Sequence, residues 1–265
     1  MSRRSPVVMI HGAFCGEWVF EGWRPLFETH DFEVHTPTLR HHGSPICCTG
    51  RELGRTSVRD YAADLGELLD GLPDWPVVIG HSLGGLLAQM LAAHKRVRAL
   101  VLLAPSTPWG MLPSTPFAFF SAQALYLDGA FWRKAVAPKT WIAAGNALDL
   151  LTEEQRGAIV RRLVPESGRA VFEVMHWMFD SSRATFVDRR SVTCPVLCLA
   201  GARDRISPPA ALRRLARRYD GRARFEVLPD HSHWLVGEPG WERIATGSLE
   251  WLARILDRER AARAR

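Results

Sequence analysis

Short apolar segments rich in β-branched residues alternate along this chain with stretches in which apolar residues recur every three or four positions. The short segments lie at residues 7–10, 34–36, 77–79, 99–103, 196–200 and 224–228. Strands that alternate with helices in this way are typical of a mostly parallel sheet. The pattern therefore predicts an α/β fold with a mostly parallel central sheet and helices on both faces of that sheet.

Three of the helices can be placed by their apolar spacing. Ser57 is expected to cap a helix over residues 58–69, and a second helix over residues 83–94 follows directly on the strand at 77–79. A third, amphipathic helix is expected over residues 241–256, followed by a basic tail that frays.

Residues 105–188 interrupt the alternation of strands and helices. The interval has no clear strand, is divided by several prolines and is rich in aromatic side chains. We predict that it is a helical lid inserted into a single domain that spans residues 1–265. Most of its aromatic residues should attach the lid to the sheet, and a minority should face a pocket.

Composition narrows the class of protein. The chain has 265 residues, 47% of them hydrophobic and 23% charged, which is the balance of a soluble globular protein. The first residues leave no room for a signal peptide, and no apolar run approaches the ~20 residues of a membrane helix. We therefore expect a cytoplasmic protein with no membrane contact.

The charged and sulfur-containing residues suggest no further chemistry. The net charge of +6 comes mainly from scattered arginines without a nucleic-acid recognition motif, so a solvated surface is expected rather than nucleic-acid binding. His41 and His42 are interpreted as a loop pair rather than a metal site. The five cysteines lack paired zinc-binding spacing and are expected to be free thiols; they are Cys15, Cys47, Cys48, Cys194 and Cys198.

The strongest motif is the sequence Gly-His-Ser-Leu-Gly-Gly at residues 80–85, which joins the strand at 77–79 to the helix at 83–94. A serine at such a sharp strand-to-helix turn projects above the sheet, and the small residues Gly80 and Gly84 permit the strained backbone. The helix N-terminus also favours developing negative charge. Ser82 is therefore the candidate nucleophile.

A serine nucleophile needs a histidine base and an acid that orients the histidine, in the chain order serine, acid, histidine. Asp204 follows the strand at 196–200, at the sheet edge where ligand groups gather. His233 follows the last strand and is the candidate base. His231 is its rival as the base, and Asp230 is a weaker alternative acid.

The oxyanion formed during attack needs hydrogen-bond donors. The backbone N–H of Leu83 is one candidate, and the loop after the first strand offers a second from Ala13 or from Phe14. His81 and Trp234 are candidate substrate-binding residues, although His81, like His11, is also expected to tie loops together by hydrogen bonds. This chemistry requires no metal and no organic cofactor.

With these motifs in view, the chain resembles the α/β-hydrolase superfamily over almost its whole length. Residues 8–13 are similar to the family's oxyanion-loop motif and residues 80–85 to its nucleophile elbow. Residues 199–204 are similar to the acid motif. Residues 233–239 resemble the histidine loop, in which the catalytic histidine precedes an acidic-proline pair by a short apolar stretch, and this spacing selects His233 over His231.

Residues 11–18 together with the elbow also resemble the lipase-like hydrolases grouped with plant methyl-ester esterases and hydroxynitrile lyases. The resemblance implies a serine hydrolase that cleaves a carboxylic ester of a small or medium apolar substrate through an acyl-enzyme. A thioesterase, a lactone hydrolase and a carbon-carbon bond hydrolase remain alternatives on the same fold, as does a ligand receptor that binds without turnover. The loop at 37–43 departs from the family pattern, because it lacks the aspartate that many relatives carry after the proline.

Overall fold

The computed structural model describes residues 5–43, 50–111, 129–139 and 143–263. A parallel six-stranded sheet lies at its centre, in the strand order β2-β1-β3-β4-β7-β8. The strands are β1 Ser5–Ile10, β2 Phe32–His35, β3 Val77–His81, β4 Ala99–Leu103, β5 Ala135–Val136, β6 Glu166–Ser167, β7 Val196–Gly201 and β8 Ala223–Leu228. All six strands predicted for the sheet are confirmed, and so is the α/β fold class.

Helices cover both faces of this sheet. The described part of the chain contains the helices α1 Trp23–Glu28, α2 Gly50–Arg55, α3 Val58–Asp70, α4 Leu83–His94, α5 Glu153–Val160, α6 Gly168–Met175, α7 Pro209–Arg217 and α8 Trp241–Arg263. Shorter helical turns are Glu17–Phe20, Phe131–Arg133, Ala143–Ala147 and Trp177–Phe179. Ser57 caps α3 as predicted, because its side chain accepts a hydrogen bond from the N–H of Arg59 and its own N–H donates to Asp60.

The core lies in two layers, one on each face of the sheet. Successive residues of a strand point to opposite faces, so in β1 Val8 and Ile10 pack in the layer that contains α3, α4 and α7. Val7 and Met9 pack in the other layer, with α1 and α8. The four inner strands β1, β3, β4 and β7 are buried on both faces and almost entirely apolar, which is why they could be recognised as short apolar runs. The edge strands β2 and β8 are partly exposed and contain charged residues.

The interval between β4 and β7 is an insertion into the sheet topology. The prediction that it contains no strand is wrong, since β5 and β6 pair antiparallel there. Each of these strands has two residues, too few for the alternating pattern that identifies a strand in a sequence. Residues 112–128 and 140–142 of the predicted lid lie outside the described residues.

The C-terminal helix is longer than predicted. Residues 257–263 were expected to belong to a frayed tail, but α8 continues without a break to Arg263. The added turns consist of Asp, Arg, Glu and Ala, most of which favour helix, and Glu259 forms an ion pair with Arg98 at 3.3 Å. A local propensity and one tertiary contact together extend the helix.

Cys15, Cys194 and Cys198 are buried free thiols, as predicted, and burial raises the pKa of each one. Cys47 and Cys48 lie outside the described residues. Within the described ranges, no helix has both the length and the apolar character that crossing a bilayer requires.

Candidate active site

Ser82 occupies a strained turn between β3 and α4. Its φ is 52° and its ψ is −116°, a conformation that non-glycine residues rarely adopt. The turn is also tight: a Cβ on Gly80 would lie 2.2 Å from the carbonyl oxygen of Gly84. Glycine at position 80 is therefore required by the close approach of two backbone segments, and the serine is partly exposed at the carboxyl edge of the sheet.

The structure brings Ser82, His233 and Asp204 together in a hydrogen-bonded chain. Ser82 Oγ lies 3.1 Å from His233 Nε2, and His233 Nδ1 lies 2.9 Å from Asp204 Oδ2. Asp204 and His233 are buried, whereas Ser82 is partly exposed. A serine whose proton can pass to a histidine, with a carboxylate fixing the tautomer of that histidine, has the geometry of an activated nucleophile.

The carboxylate of Asp204 is held by its own turn. Oδ1 accepts hydrogen bonds from the backbone N–H groups of Ile206 at 2.7 Å and Ser207 at 2.8 Å. That leaves Oδ2 for the histidine. A hydrogen bond also joins this turn to the histidine loop, since the N–H of Arg203 donates to the carbonyl oxygen of His231 at 3.0 Å.

The side chain of Glu238 holds the histidine loop in place by hydrogen bonds. Its buried carboxylate accepts hydrogen bonds from the Ser232 hydroxyl at 2.6 Å and from the Trp234 N–H at 2.9 Å. It also contacts His231 Nδ1 at 3.3 Å, so the rival histidine is directed at Glu238 and not at Ser82. Asp230, the alternative acid, is exposed. The sequence identified Glu238 only as part of a family motif, and the structure shows what its side chain contacts.

The candidate oxyanion donors lie beside the nucleophile. A Cβ on Gly12 would come within 3.1 Å of Ser82 Cβ, which places the loop of Ala13 against the serine. The N–H of Phe14 donates to Glu166 Oε2 at 3.3 Å. Among the described residues, no such acceptor engages the N–H of Ala13 or of Leu83. Of the two residues predicted for the second donor, Phe14 has its N–H engaged by Glu166, and Ala13 is the one whose N–H has no acceptor in the described part of the chain.

His81 and Trp234 lie next to His233. His81 is buried and its Nε2–H donates to the carbonyl oxygen of His233 at 2.9 Å, which fits the predicted loop-tying role. The buried ring of Trp234 packs edge-on against His81. A direct contact of either residue with substrate stays a prediction. His11 ties loops as expected, because it donates to Gly12 and accepts from the N–H of Leu39.

Burial keeps His11 and His81 neutral. It lowers the pKa of His11 to about 4 and that of His81 to about 3, and the neighbouring imidazoles of His42 and His233 lower these pKa values further. In the unfolded chain each imidazole takes up a proton near pH 6.5, so between pH 6.5 and pH 4 the unfolded state binds more protons than the folded state. Acidification through this range must therefore destabilise the fold.

This predicts a specific pH dependence of stability. Between pH 7 and pH 4, the free energy of unfolding of wild type should fall by about 3 kcal/mol more than that of the His81→Gln variant. The glutamine amide of this variant can still donate a hydrogen bond to the carbonyl oxygen of His233. Urea denaturation at several pH values measures this difference. His94→Gln, at an exposed position of α4, is the control and should follow wild type. Parallel curves for His81→Gln and wild type would contradict the assignment.

His42, in the loop after β2, forms a pair with a residue of the insertion that sequence reasoning missed. His42 was interpreted as half of a loop pair, but its Nε2 lies 3.1 Å from Glu166 Oε2, and both side chains are fully buried. The two residues are 124 positions apart, so no local signal could have joined them. Within the described ranges, no cluster of three His, Cys, Asp or Glu side chains is arranged to hold a metal ion.

Comparison with known proteins shows the family of this chain. A model of the alpha/beta hydrolase family matches residues 7–245. A pimeloyl-acyl-carrier-protein methyl ester esterase from Chromobacterium violaceum is 30% identical over 92% of this chain and 94% of its own length. A pyrethroid hydrolase from Sphingobium wenxiniae is 30% identical over 41% of this chain, and that alignment spans only 39% of the relative.

Solved structures show the same fold. A methylesterase from Arabidopsis superposes with a TM-score of 0.70, covering 96% of this chain and 99% of that chain at 18% sequence identity. The chain therefore belongs to the alpha/beta hydrolase family, and it is a hydrolase of the esterase type.

Proposed function

We propose that this hydrolase cleaves a carboxylic ester of a small or medium apolar substrate, with Ser82 as nucleophile. The single observation that carries the proposal is the hydrogen-bonded chain from Ser82 Oγ through His233 to Asp204, with distances of 3.1 and 2.9 Å. The end-to-end similarity to a methyl ester esterase supports an ester with a small alcohol group.

The reaction follows from the positions of these groups. His233 Nε2 removes the Ser82 proton as Oγ attacks the ester carbonyl, and the N–H groups of Leu83 and Ala13 stabilise the oxyanion. The imidazolium, stabilised by Asp204, gives its proton to the departing alcohol, which leaves an acyl-enzyme. Water, deprotonated by His233, then attacks the acyl carbonyl, and the imidazolium returns that proton to Ser82 Oγ as the carboxylic acid leaves.

We also propose that residues 105–188 act as a lid over this site. The insertion contributes a cluster of buried apolar residues, Phe131, Val136 and Val171, against which the side chain of Phe14 packs. Phe14 directly follows the candidate oxyanion donor Ala13. Such a contact would put apolar surface next to the reacting carbonyl, which favours an apolar acyl or alcohol group.

The test combines labelling with turnover. Wild type should react with a fluorophosphonate to give one covalent adduct by intact mass, and should hydrolyse p-nitrophenyl and methyl esters of graded acyl length. Ser82→Ala should give no adduct, whereas Ser191→Ala, which replaces an exposed serine, should be labelled like wild type.

Other outcomes separate the alternatives. Turnover confined to thioesters, lactones or carbon-carbon substrates would retain the nucleophile and reassign the bond. Ligand-induced stabilisation of folded wild type without an adduct and without product would instead indicate a receptor and would overturn the esterase.

A further inference from the structure

Phe14 has a backbone conformation that needs support. Its φ is 64°, in the left-handed region, where a bulky side chain is uncommon. A residue stays in such a conformation only when its surroundings hold it there. Phe14 directly follows Ala13, the candidate oxyanion donor, so the support of Phe14 bears on where the Ala13 N–H points.

That support comes from the insertion. The N–H of Phe14 donates to Glu166 Oε2 at 3.3 Å, and its carbonyl oxygen accepts a hydrogen bond from the N–H of Val164 at 2.9 Å. Its side chain packs against the buried insertion cluster that includes Phe131 and Val171. The N–H and the carbonyl oxygen of Phe14 are thus both hydrogen-bonded to residues 164–166, which belong to the insertion and not to the central six-stranded sheet.

Glu166 is a charged residue in a fully buried place. Besides Phe14, its carboxylate accepts hydrogen bonds from the Tyr61 hydroxyl at 2.7 Å, the Ser167 N–H at 2.7 Å and His42 Nε2 at 3.1 Å. Burial opposes the charge, but His42 and these hydrogen bonds hold the pKa of Glu166 below its ordinary value. Burial likewise acts against protonation of His42, yet Glu166 raises the pKa of that imidazole overall.

A buried ion pair does not by itself explain the stability of a fold, since a protein with well-packed apolar residues in its place is often as stable. An ionised carboxylate does, however, have a property that an apolar residue lacks. It can only accept hydrogen bonds, so it orients the Phe14 N–H toward the insertion. On the other side of Ala13, Gly12 packs against Ser82, so the chain is fixed on both sides of the donor.

We propose that Glu166 is a positioning residue for the oxyanion hole: paired with His42, it holds Phe14 in its left-handed conformation and so directs the Ala13 N–H at the reacting carbonyl. This inference rests on the proposed ester hydrolysis. It makes the insertion part of the catalytic geometry, because a residue of the insertion and not of the sheet sets one of the two donors.

Glu166→Gln tests the proposal, because glutamine preserves size and removes the charge. We expect kcat for a p-nitrophenyl ester to fall by about 10- to 100-fold with KM within about threefold, since the oxyanion exists only during reaction. The inhibition constant of a trifluoromethyl ketone, which forms a tetrahedral oxyanion on the serine, should rise by the same factor. A purely structural role would not produce this match.

Glu173→Gln is the matched control. Glu173 is a second buried carboxylate that joins the insertion to the start of α3, where it accepts hydrogen bonds from the hydroxyl of the cap residue Ser57 and from the Val58 N–H, both at 2.8 Å. It makes no contact with the oxyanion loop among its hydrogen bonds. Both variants should melt below wild type, but only Glu166→Gln should lose kcat and affinity for the ketone.

The outcomes are distinguishable. Turnover by wild type together with equal kcat and ketone affinity in the two variants would overturn the inference and leave the esterase intact, whereas no turnover by wild type would overturn both. If Glu166→Gln does not fold, His42→Gln carries the test, because it removes the charge that faces Glu166. A loss of kcat of about threefold or more at constant KM would support the inference, and wild-type kcat would overturn it.

Discussion

Replacing Asp204 by asparagine is expected to lower kcat for ester hydrolysis by about 10⁴-fold near neutral pH. The reason lies in how the turn holds this side chain. The N–H groups of Ile206 and Ser207 both donate to Oδ1, so an asparagine would keep its single carbonyl oxygen there. Its NH₂ group would then face His233 Nδ1, where Oδ2 of the carboxylate now lies at 2.9 Å.

An NH₂ group facing Nδ1 requires that this nitrogen accept a hydrogen bond. The imidazole must then carry its proton on Nε2, which is the nitrogen that faces Ser82 Oγ at 3.1 Å. In that tautomer the lone pair of His233 lies on Nδ1, and Nε2 has none with which to take the serine proton, so the nucleophile is not activated. The fold should survive, because the two hydrogen bonds of the turn are kept.

Steady-state kinetics and the rate of fluorophosphonate labelling both measure this effect. Asp230→Asn is the control, since Asp230 is an exposed carboxylate close in sequence to His233 and it makes no contact with the imidazole. It should leave both rates within about twofold of wild type. A loss of less than about tenfold in a folded Asp204→Asn variant would remove Asp204 from the proposed mechanism.

The parts of this molecule that could be predicted from its sequence are those encoded locally. The four inner strands are recognisable because they are buried on both faces and are therefore apolar along most of their length. The edge strands β2 and β8 are partly exposed and mix apolar with charged residues. Ser82 is recognisable because a strand, a glycine-flanked serine and a helix follow one another within a few residues. Asp204 and His233 each follow a strand whose carboxyl end meets the same edge of the sheet, and so the fold brings them to Ser82.

The residues that sequence reasoning missed depend on contacts between distant segments. Glu166 lies 152 positions from Phe14 and 105 positions from Tyr61, and nothing around it in the sequence marks it as different from a surface glutamate. The departure of the loop at 37–43 from the family pattern was visible, but its consequence was not. His42 finds its carboxylate in the insertion, which no local spacing rule could anticipate.

The elbow glycine at position 84 gives the largest expected effect on stability. A Cβ at this position would lie 2.1 Å from the carbonyl oxygen of Ile10 and 2.5 Å from that of His11. Both neighbours are backbone atoms, which cannot rotate away as the end of a side chain can. We therefore expect Gly84→Ala to lower the free energy of unfolding by about 3 kcal/mol or more, measured by urea denaturation.

Gly247→Ala separates this clash from the general effect of adding a methyl group to a helix. Gly247 lies within α8, and a Cβ there would meet no atom within 4 Å, so alanine should stabilise the protein by about 0.5–1 kcal/mol. Opposite signs for the same substitution at two helical positions would establish that α4 is pressed against the end of β1. Equal urea midpoints for Gly84→Ala and wild type would contradict it. Because Ile10 and His11 lead directly into Gly12 and Ala13, any Gly84→Ala protein that still folds should also lose kcat, since the backbone shift that accommodates the methyl group displaces the oxyanion loop.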